Sequence, residues 1–250
     1  MIPIYLDNNA TTSVAPEVLE EMRPYLSELY GNPSSMHTFG GQLHRKIEEA
    51  REKTAALLGA DPEEIVFTSC GTESDNTAIM SAVETCPHKR HIITTRVEHP
   101  AVLSFARHLS RKGFRVTFLP VDNLGRLDMN SFSGAIDDGT AVVSIMYANN
   151  ETGVIFPIEE IGQVLRERNI LFHTDAVQAV GKIPINVKDL PVDFLSLSGH
   201  KLHAPKGVGA LYVRKGTRFS PYIIGGHQER GRRAGTENVA SVIALGKACE

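Results

Sequence analysis

The chain has 250 residues, 42% of them hydrophobic and 22% charged, a composition typical of a globular protein with room for one large α/β domain or two small ones. Its formal net charge of -3 gives no basic surface for nucleic acid, and no apolar run reaches the length of a membrane span. The N-terminus lacks the basic and apolar regions of a signal peptide, and the three cysteines form neither a disulfide framework nor a zinc motif. We therefore expect a cytoplasmic protein that binds neither nucleic acid nor membranes.

Helical patterns alternate with short apolar runs along the chain. The first clear helical pattern covers residues 43–58, and Gly59 is expected to cap its C-terminal end. Strands are predicted at residues 64–68, 91–95, 116–119, 141–146, 170–174, 194–197 and 210–213. Several of these strands are apolar throughout, which is typical of strands that helices cover on both faces.

Further helices are predicted at residues 158–168 and from Asn238 onward. The strand–helix alternation predicts an α/β fold with a parallel-rich mixed sheet and helices on both faces. No linker divides the chain, so we expect one large domain at residues 16–250, preceded by an N-terminal segment at residues 1–15. In such a sheet, ligands bind at the carboxyl ends of the strands.

The first polar motif at a strand end contains Gly71 and Thr72. Small residues at the start of a helix let the backbone approach an anion, and the free N–H groups there bind phosphate. The alternative is a capping box with Thr72 as the N-cap and Asp75 near the third helical position, and both interpretations can hold together. The absence of a Walker lysine and of a GxGxxG motif argues against ATP and NAD.

Two further motifs follow later strands. His99 precedes a proline that can open a helix, and its ring could stack on an aromatic cofactor or exchange a proton. Asn150 could bind a phenolic oxygen or a substrate carboxylate. Taken singly, each residue is better explained structurally, as a cap for His99 and as an Asn/Gly turn for Asn150.

A carboxylate and a lysine follow two adjacent predicted strands. Asp175 could pair with a protonated pyridine nitrogen, or it could cap a helix. Lys201 lies in a Ser-Gly-His-Lys motif, where partial desolvation would lower the pKa of its amine and favour Schiff-base chemistry, unless it is a surface lysine. Together the two favour a cofactor site. The basic loop at residues 230–238 suits an anion or a partner subunit, or is simply solvated.

These motifs, in this order, resemble those of cysteine desulfurases of the nitrogen-fixation type, which are pyridoxal 5'-phosphate (PLP) enzymes of fold type I. Residues 5–12, 31–35 and 227–238 also match the family's signatures, and the resemblance covers essentially the whole chain. It implies a PLP fold type I large domain that converts L-cysteine to L-alanine. The sulfur would pass as an enzyme persulfide to an iron–sulfur scaffold protein, for iron–sulfur or nitrogenase cluster assembly. This association implies metal binding in the pathway, although no residue here is assigned as a metal ligand.

The resemblance also assigns roles to single residues. The residues matched to catalytic or ring-binding positions are the PLP-binding lysine Lys201, the ring-stacking His99, the pyridine-nitrogen partner Asp175, and Asn150 and Gln178 near the phenolic oxygen. The residues matched to phosphate contacts are Gly71, Thr72, Ser198, His200 and Thr236. In the family the last of these reaches the site of the neighbouring subunit, which implies a homodimer.

One part of the family pattern is missing. The nucleophilic cysteine and the arginine that binds the substrate carboxylate belong to a smaller C-terminal domain, which we expect to lie outside this chain. Cys70 is expected to pack as a small apolar group, Cys86 to end a helix, and Cys249 to lie in the last helix. We therefore expect the 250 residues alone to be inactive. The alternatives are another PLP fold type I lyase or aminotransferase, or a catalytically silent PLP-binding fragment.

Overall fold

The structure is a computed structural model that describes residues 4–250, so residues 1–3 of the predicted N-terminal segment lie outside the described residues. Seven strands occur within this range: β1 (Ile65–Thr68), β2 (His91–Thr95), β3 (Arg115–Leu119), β4 (Thr140–Ser144), β5 (Leu171–Asp175), β6 (Phe194–Ser198) and β7 (Gly209–Val213). The same range contains eight α helices: α1 (Pro16–Met22), α2 (Pro24–Ser27), α3 (Thr38–Leu58), α4 (Gly71–Thr85), α5 (Pro100–Arg111), α6 (Met129–Ala135), α7 (Ile158–Glu167) and α8 (Val239–Ala248). All seven predicted strands are present, and their ends agree with the prediction to within two residues.

The seven strands form one sheet in the order β1-β7-β6-β5-β4-β2-β3. Strands β2 to β6 pair in parallel, whereas β7 runs antiparallel to both β1 and β6. The predicted parallel-rich mixed sheet is confirmed. This arrangement brings the carboxyl ends of β1, β2, β4, β5 and β6 to the same edge of the sheet.

Helices cover both faces of the sheet, which explains why the central strands are apolar throughout. On β2, Ile92 packs into a cluster with Val102 of α5, while the neighbouring Ile93 packs into a separate cluster with Leu43 of α3 and Ile161 of α7. Successive strand residues point to opposite faces, so each face receives a row of buried side chains. None of the helices among residues 4–250 is both long and apolar enough to cross a bilayer.

The predicted C-terminal end of α3 and the predicted start of α8 are confirmed, whereas α3 begins at Thr38, five residues before the predicted start at residue 43. Gly59 caps α3 with a positive φ of 67°, and α8 follows Asn238, whose side chain accepts the Ser241 N–H at 3.4 Å. The prediction of Thr72 as an N-cap was wrong, because α4 already begins at Gly71, with Cys70 as its N-cap. Residue 16 opens α1, and the division into residues 1–15 and 16–250 stays a prediction.

Candidate functional site

A cavity of about 450 Å³ opens at the carboxyl edge of the sheet. Nine of the ten predicted site residues line it: Gly71, Thr72, His99, Asn150, Asp175, Gln178, Ser198, His200 and Lys201. The tenth, Thr236, is exposed and lines a separate cavity of about 150 Å³ beside Ser69 and Arg233. The structure thus brings together residues that are up to 130 positions apart, from Gly71 to Lys201.

One end of the large cavity is formed by the start of α4. A Cβ atom on Gly71 would lie 2.8 Å from Val177 Cγ2 and 3.4 Å from Ser198 Cβ, so only glycine lets three strand ends meet here. The first N–H groups of a helix have no acceptor within the helix. Together with the Ser198 hydroxyl and the His200 ring, they give this end the donors that an anion requires. Burial, and then the charge of Lys201, lower the pKa of His200.

A buried carboxylate lies at another part of the cavity. Asp175 is the last residue of β5, and its Oδ1 accepts the Val177 N–H at 3.0 Å. It therefore closes a turn and does not cap a helix. Only 5% of the residue is exposed. Burial, reinforced by the charge of Asp75, raises the pKa of Asp175 to about 7. A cation placed against the remaining oxygen, Oδ2, would favour the ionised form.

A buried polar group behind Asp175 was not predicted from the sequence. The His173 ring lies between the hydroxyls of Ser144 and Ser196, at 2.8 Å and 2.9 Å, and burial lowers its pKa to about 4, so the ring is neutral. The carboxyl oxygen Oδ1 of Asp75 lies 3.5 Å from His173 Nε2, and burial raises the pKa of Asp75 to about 7. The signal available was a histidine within an otherwise apolar strand.

Glu98 is a third buried carboxyl group near this end of the cavity. It accepts a hydrogen bond from Thr95 Oγ1 at 2.7 Å and another from the Met146 N–H at 3.0 Å. Burial raises the pKa of Glu98 to about 8, and the charges of Asp175 and Asp75 add to this rise. Three acidic groups thus share one poorly hydrated region, which favours a positively charged ligand group there.

The amine of Lys201 is held by the N-terminal segment. Its Nζ donates to the carbonyl oxygens of Asn9 and Ala10, the latter at 2.9 Å. Partial burial lowers the pKa of Lys201, and the nearby carboxylates of Asp7 and Asp175 oppose this shift. The direction is the one expected from its place beside a cleft. Asp7, Asn9 and Ala10 also line the cavity, and none of the three was predicted to be a site residue.

Buried Thr12 fixes the N-terminal segment against the loop that carries Lys201. Its backbone N–H and its hydroxyl both donate to the His200 carbonyl oxygen at 2.9 Å, and its hydroxyl oxygen accepts the His203 N–H at 2.9 Å. These bonds explain how a segment with exposed residues at its start reaches the cavity in a defined position. They help to keep the Asn9 and Ala10 carbonyls, which accept from the Lys201 amine, beside that loop.

The remaining predicted residues keep polar atoms free toward the cavity. His99 caps α5 by accepting the Ala101 N–H on Nδ1 at 3.1 Å, while its ring remains exposed, so the cap and an accessible ring coexist. Gln178 uses one amide hydrogen to reach Asn9 O at 2.9 Å, and Asn150 Nδ2 donates to Glu151 at 2.7 Å. Each amide group retains a second N–H for a ligand.

The cysteines differ from one another in their surroundings. The expectation that Cys70 packs as a small apolar group was wrong, because as the N-cap of α4 it is half-exposed and lines the cavity. Cys86 ends α4 as predicted. Cys249 is buried at the end of α8, where burial raises the pKa of its thiol to about 11, so it is a poor thiolate.

A family model described as aminotransferase class-V matches residues 4–250. The chain belongs to the aminotransferase class-V family. It is 63% identical over 250 residues to a cysteine desulfurase of Trichormus azollae, covering 100% of this chain and 62% of that protein. A solved NifS-like protein matches with a TM-score of 0.96 and 47% identity, over 99% of this chain and 69% of that one.

A second solved structure, SspA in complex with cysteine, matches with a TM-score of 0.95 and 43% identity, over 99% of this chain and 72% of that one. These likenesses confirm the predicted fold class, the PLP fold type I large domain, and the resemblance to cysteine desulfurases. The chain spans 62% of the length of the Trichormus relative.

Proposed function

We propose that this chain is the cofactor-binding part of a cysteine desulfurase, which converts L-cysteine to L-alanine and retains the sulfur as an enzyme persulfide. The observation that carries the proposal is one cavity that combines an anion-binding helix start, a buried carboxylate and a lysine amine of lowered pKa. The names of the relatives, and the cysteine in the SspA complex, support this choice of substrate.

The residues fit PLP. A phosphate would lie at Gly71, Thr72, Ser198 and His200, whose backbone and side-chain groups offer donors. Burial raises the pKa of Asp175 and so disfavours its ionised form. A pyridinium nitrogen would supply the positive charge that stabilises the ionised carboxylate. When bound, PLP supplies an electron sink that stabilises negative charge on the substrate carbon.

The chain's own residues would then hold the reactants and move protons. Lys201 would bind the cofactor through Nζ, leaving the carbonyls of Asn9 and Ala10, and afterwards carry protons on that nitrogen. The exposed ring of His99 would cover one face of the cofactor, and its free Nε2 would exchange a proton with the substrate. Asn150 and Gln178 would bind the phenolic oxygen through their free amide hydrogens.

The sulfur-accepting thiol would come from outside the 250 residues. The reaction breaks the C–S bond of cysteine and forms an S–S bond to an enzyme thiolate, while the carbon takes up protons to become alanine. Cys86 and Cys249 do not line the cavity, and the raised pKa of Cys249 opposes thiolate formation. Cys70 is the N-cap of α4, beside the anion-binding turn, so we assign it no catalytic role.

The proposal includes a homodimer in which the exposed Thr236 reaches the phosphate of the partner subunit. It also includes an iron–sulfur scaffold protein as the sulfur acceptor, with nitrogenase cluster assembly as the purpose, in line with the NifS-like relative. A cytoplasmic location belongs to the same proposal, since Cys70, Cys86 and Cys249 are all unpaired thiols.

The test compares the complete protein with residues 1–250, each supplied with PLP and L-cysteine. We expect the complete protein to form alanine and persulfide in equal amounts, and the shorter chain to form neither at an enzymatic rate. Pyruvate or a new amino acid formed from an added 2-oxo acid would instead identify a lyase or an aminotransferase. Turnover by residues 1–250 that Cys70→Ala abolishes would place the nucleophile within this chain.

A further inference from the structure

Residues 227–238 form a loop that two bidentate ion pairs hold against the rest of the domain. The first is buried: Arg51 Nη1 and Nη2 reach the two carboxylate oxygens of Glu229 at 2.7 Å and 2.9 Å. The Phe67 N–H donates to the same carboxylate at 2.8 Å. The side chain of Arg51 is 3% exposed and that of Glu229 is 5% exposed. This pair anchors the residue directly before the basic loop at residues 230–238.

The backbone of this loop is unusual for residues with side chains. Glu229 and Arg230 both have positive φ angles, 48° and 58°, in the left-handed region that glycine tolerates best. Such backbone conformations are strained and persist only where surrounding contacts hold them. The bidentate pair with Arg51 provides that hold, so the loop has one defined position.

The second ion pair joins the loop to the start of α4. Arg233 Nε lies 2.8 Å from Glu73 Oε1, and its Nη2 lies 3.2 Å from Oε2. Glu73 Oε2 also accepts the Ser69 N–H at 2.8 Å. Glu73 is the third residue of α4, directly after Gly71 and Thr72. A carboxylate therefore lies at the helix start where the proposed function requires a phosphate.

Two anions at one helix start would repel each other, because both compete for the same positive potential. Burial alone would raise the pKa of Glu73, but its bonds with Arg233 and Ser69 keep the pKa below the ordinary value. Glu73 is therefore ionised at neutral pH, and Arg233 is the group that balances its charge. The side chain of Arg233 is 22% exposed, so water would not fully compensate the charge of Glu73 if Arg233 were removed.

We propose that Arg233 is a positioning residue for the phosphate site, an inference that rests on the proposed function. By neutralising Glu73, it allows the start of α4 to accept a phosphate dianion. By the same bond it fixes the loop three residues before Thr236, which shares the smaller cavity with Arg233. One ion pair thus connects the phosphate turn of a subunit with the segment expected to serve its partner.

The test measures the affinity of the complete, cofactor-free protein for PLP and for pyridoxal, which lacks the phosphate. Arg233→Gln should raise the Kd for PLP about fivefold, the effect of an uncompensated charge at a helix N-terminus, and leave the Kd for pyridoxal unchanged. Arg230→Gln is the matched control, because it removes the same charge from the same loop but breaks an exposed pair with Glu48. It should change neither affinity.

Two further variants separate charge from folding. Arg233→Lys keeps the charge and should bind PLP as tightly as the wild type. In Glu73→Gln/Arg233→Gln both charges are gone while an acceptor for the Ser69 N–H remains, so PLP affinity should recover to within about twofold of wild type. Equal losses for PLP and pyridoxal, no rescue in the double variant, or no difference from Arg230→Gln would each overturn the inference. A wild-type protein that binds no PLP would instead overturn the proposed function.

Discussion

The two cavities at the carboxyl edge of the sheet differ in how their charged groups are satisfied. Within residues 4–250, Asp75 and Asp175 of the large cavity are buried without an ion pair to a lysine or arginine, and the Lys201 amine donates to backbone carbonyls. Beside the small cavity, Glu229 and Arg233 are each held by a bidentate ion pair. Unbalanced buried charge is costly and persists where a ligand balances it, whereas paired charge holds the backbone in place. We therefore expect the charged groups of the large cavity to bind a ligand and those beside the small cavity to stabilise the fold.

Removal of the Lys201 amine should have a larger effect than any other single change at the large cavity. Lys201→Ala should abolish covalent PLP binding and the visible absorption band of the complete protein, because no other amine would occupy that position. Lys206→Ala is a matched control from the same loop, where the side chain is exposed, and should keep the band. Borohydride fixation followed by peptide mass mapping identifies the lysine. A cofactor fixed to another residue would refute the assignment.

On the paired side, the buried ion pair should matter for stability more than for chemistry. Arg51→Met should lower the free energy of unfolding by about 3–5 kcal/mol, because it leaves the Glu229 carboxylate buried without a partner. Arg45→Met on the same helix breaks a pair whose arginine is 86% exposed and should cost at most about 1 kcal/mol. Urea unfolding of both variants measures the difference. Similar losses in the two would mean that Glu229 is not held as described.

For Asp175 we expect the opposite of Arg51: a large effect on the rate of turnover and a small effect on folding stability. Asp175→Asn should lower kcat of the complete enzyme about 10- to 100-fold, because a hydrogen bond to a charged group contributes about 1.5–3 kcal/mol. Asp193→Asn is the control. The Asp193 carboxylate lies just before the start of β6, at the opposite edge of the sheet from Asp175, and accepts the Phe172 N–H at 2.8 Å. Its replacement should affect stability instead. Wild-type turnover in Asp175→Asn would exclude the proposed pairing.

Much of this arrangement could be predicted from local sequence patterns. Apolar runs predicted all seven strands. The rule that ligands bind at the carboxyl ends of such strands predicted that Asp175 and Lys201 would share one cavity. The antiparallel direction of β7 and the order of the strands depend on long-range pairing, which no local pattern encodes.

The missed residues have a common physical cause. Asp75 lies within a helix and His173 within a strand, so their local patterns indicate only secondary structure, and their proximity is created by the packing of α4 on the sheet. The same holds for Asn9, which contributes a backbone carbonyl and no side-chain signal. The packing of Cys70 was predicted wrongly because the helix was expected to start near Thr72, whereas Cys70 is the N-cap of α4.

The smallest expected effect, and the most direct measure of unbalanced charge, is the pH dependence of folding. The folded pKa of Asp175 is raised to about 7 from an ordinary value of 3.8, so between these values the folded chain binds more protons than the unfolded chain. Its contribution to stability is therefore present below about pH 4 and is lost as the pH rises to about 7. Asp75 and Glu98 carry shifts of the same sign, so only the difference between wild type and Asp175→Asn isolates this group.

In the cofactor-free complete protein, the wild type should lose about 1–2 kcal/mol more than the variant between about pH 5 and pH 8, measured by urea unfolding. Saturating PLP should remove that difference, because a pyridinium partner would stabilise the ionised carboxylate. Parallel pH profiles of the two cofactor-free proteins would show that Asp175 is already balanced within the fold.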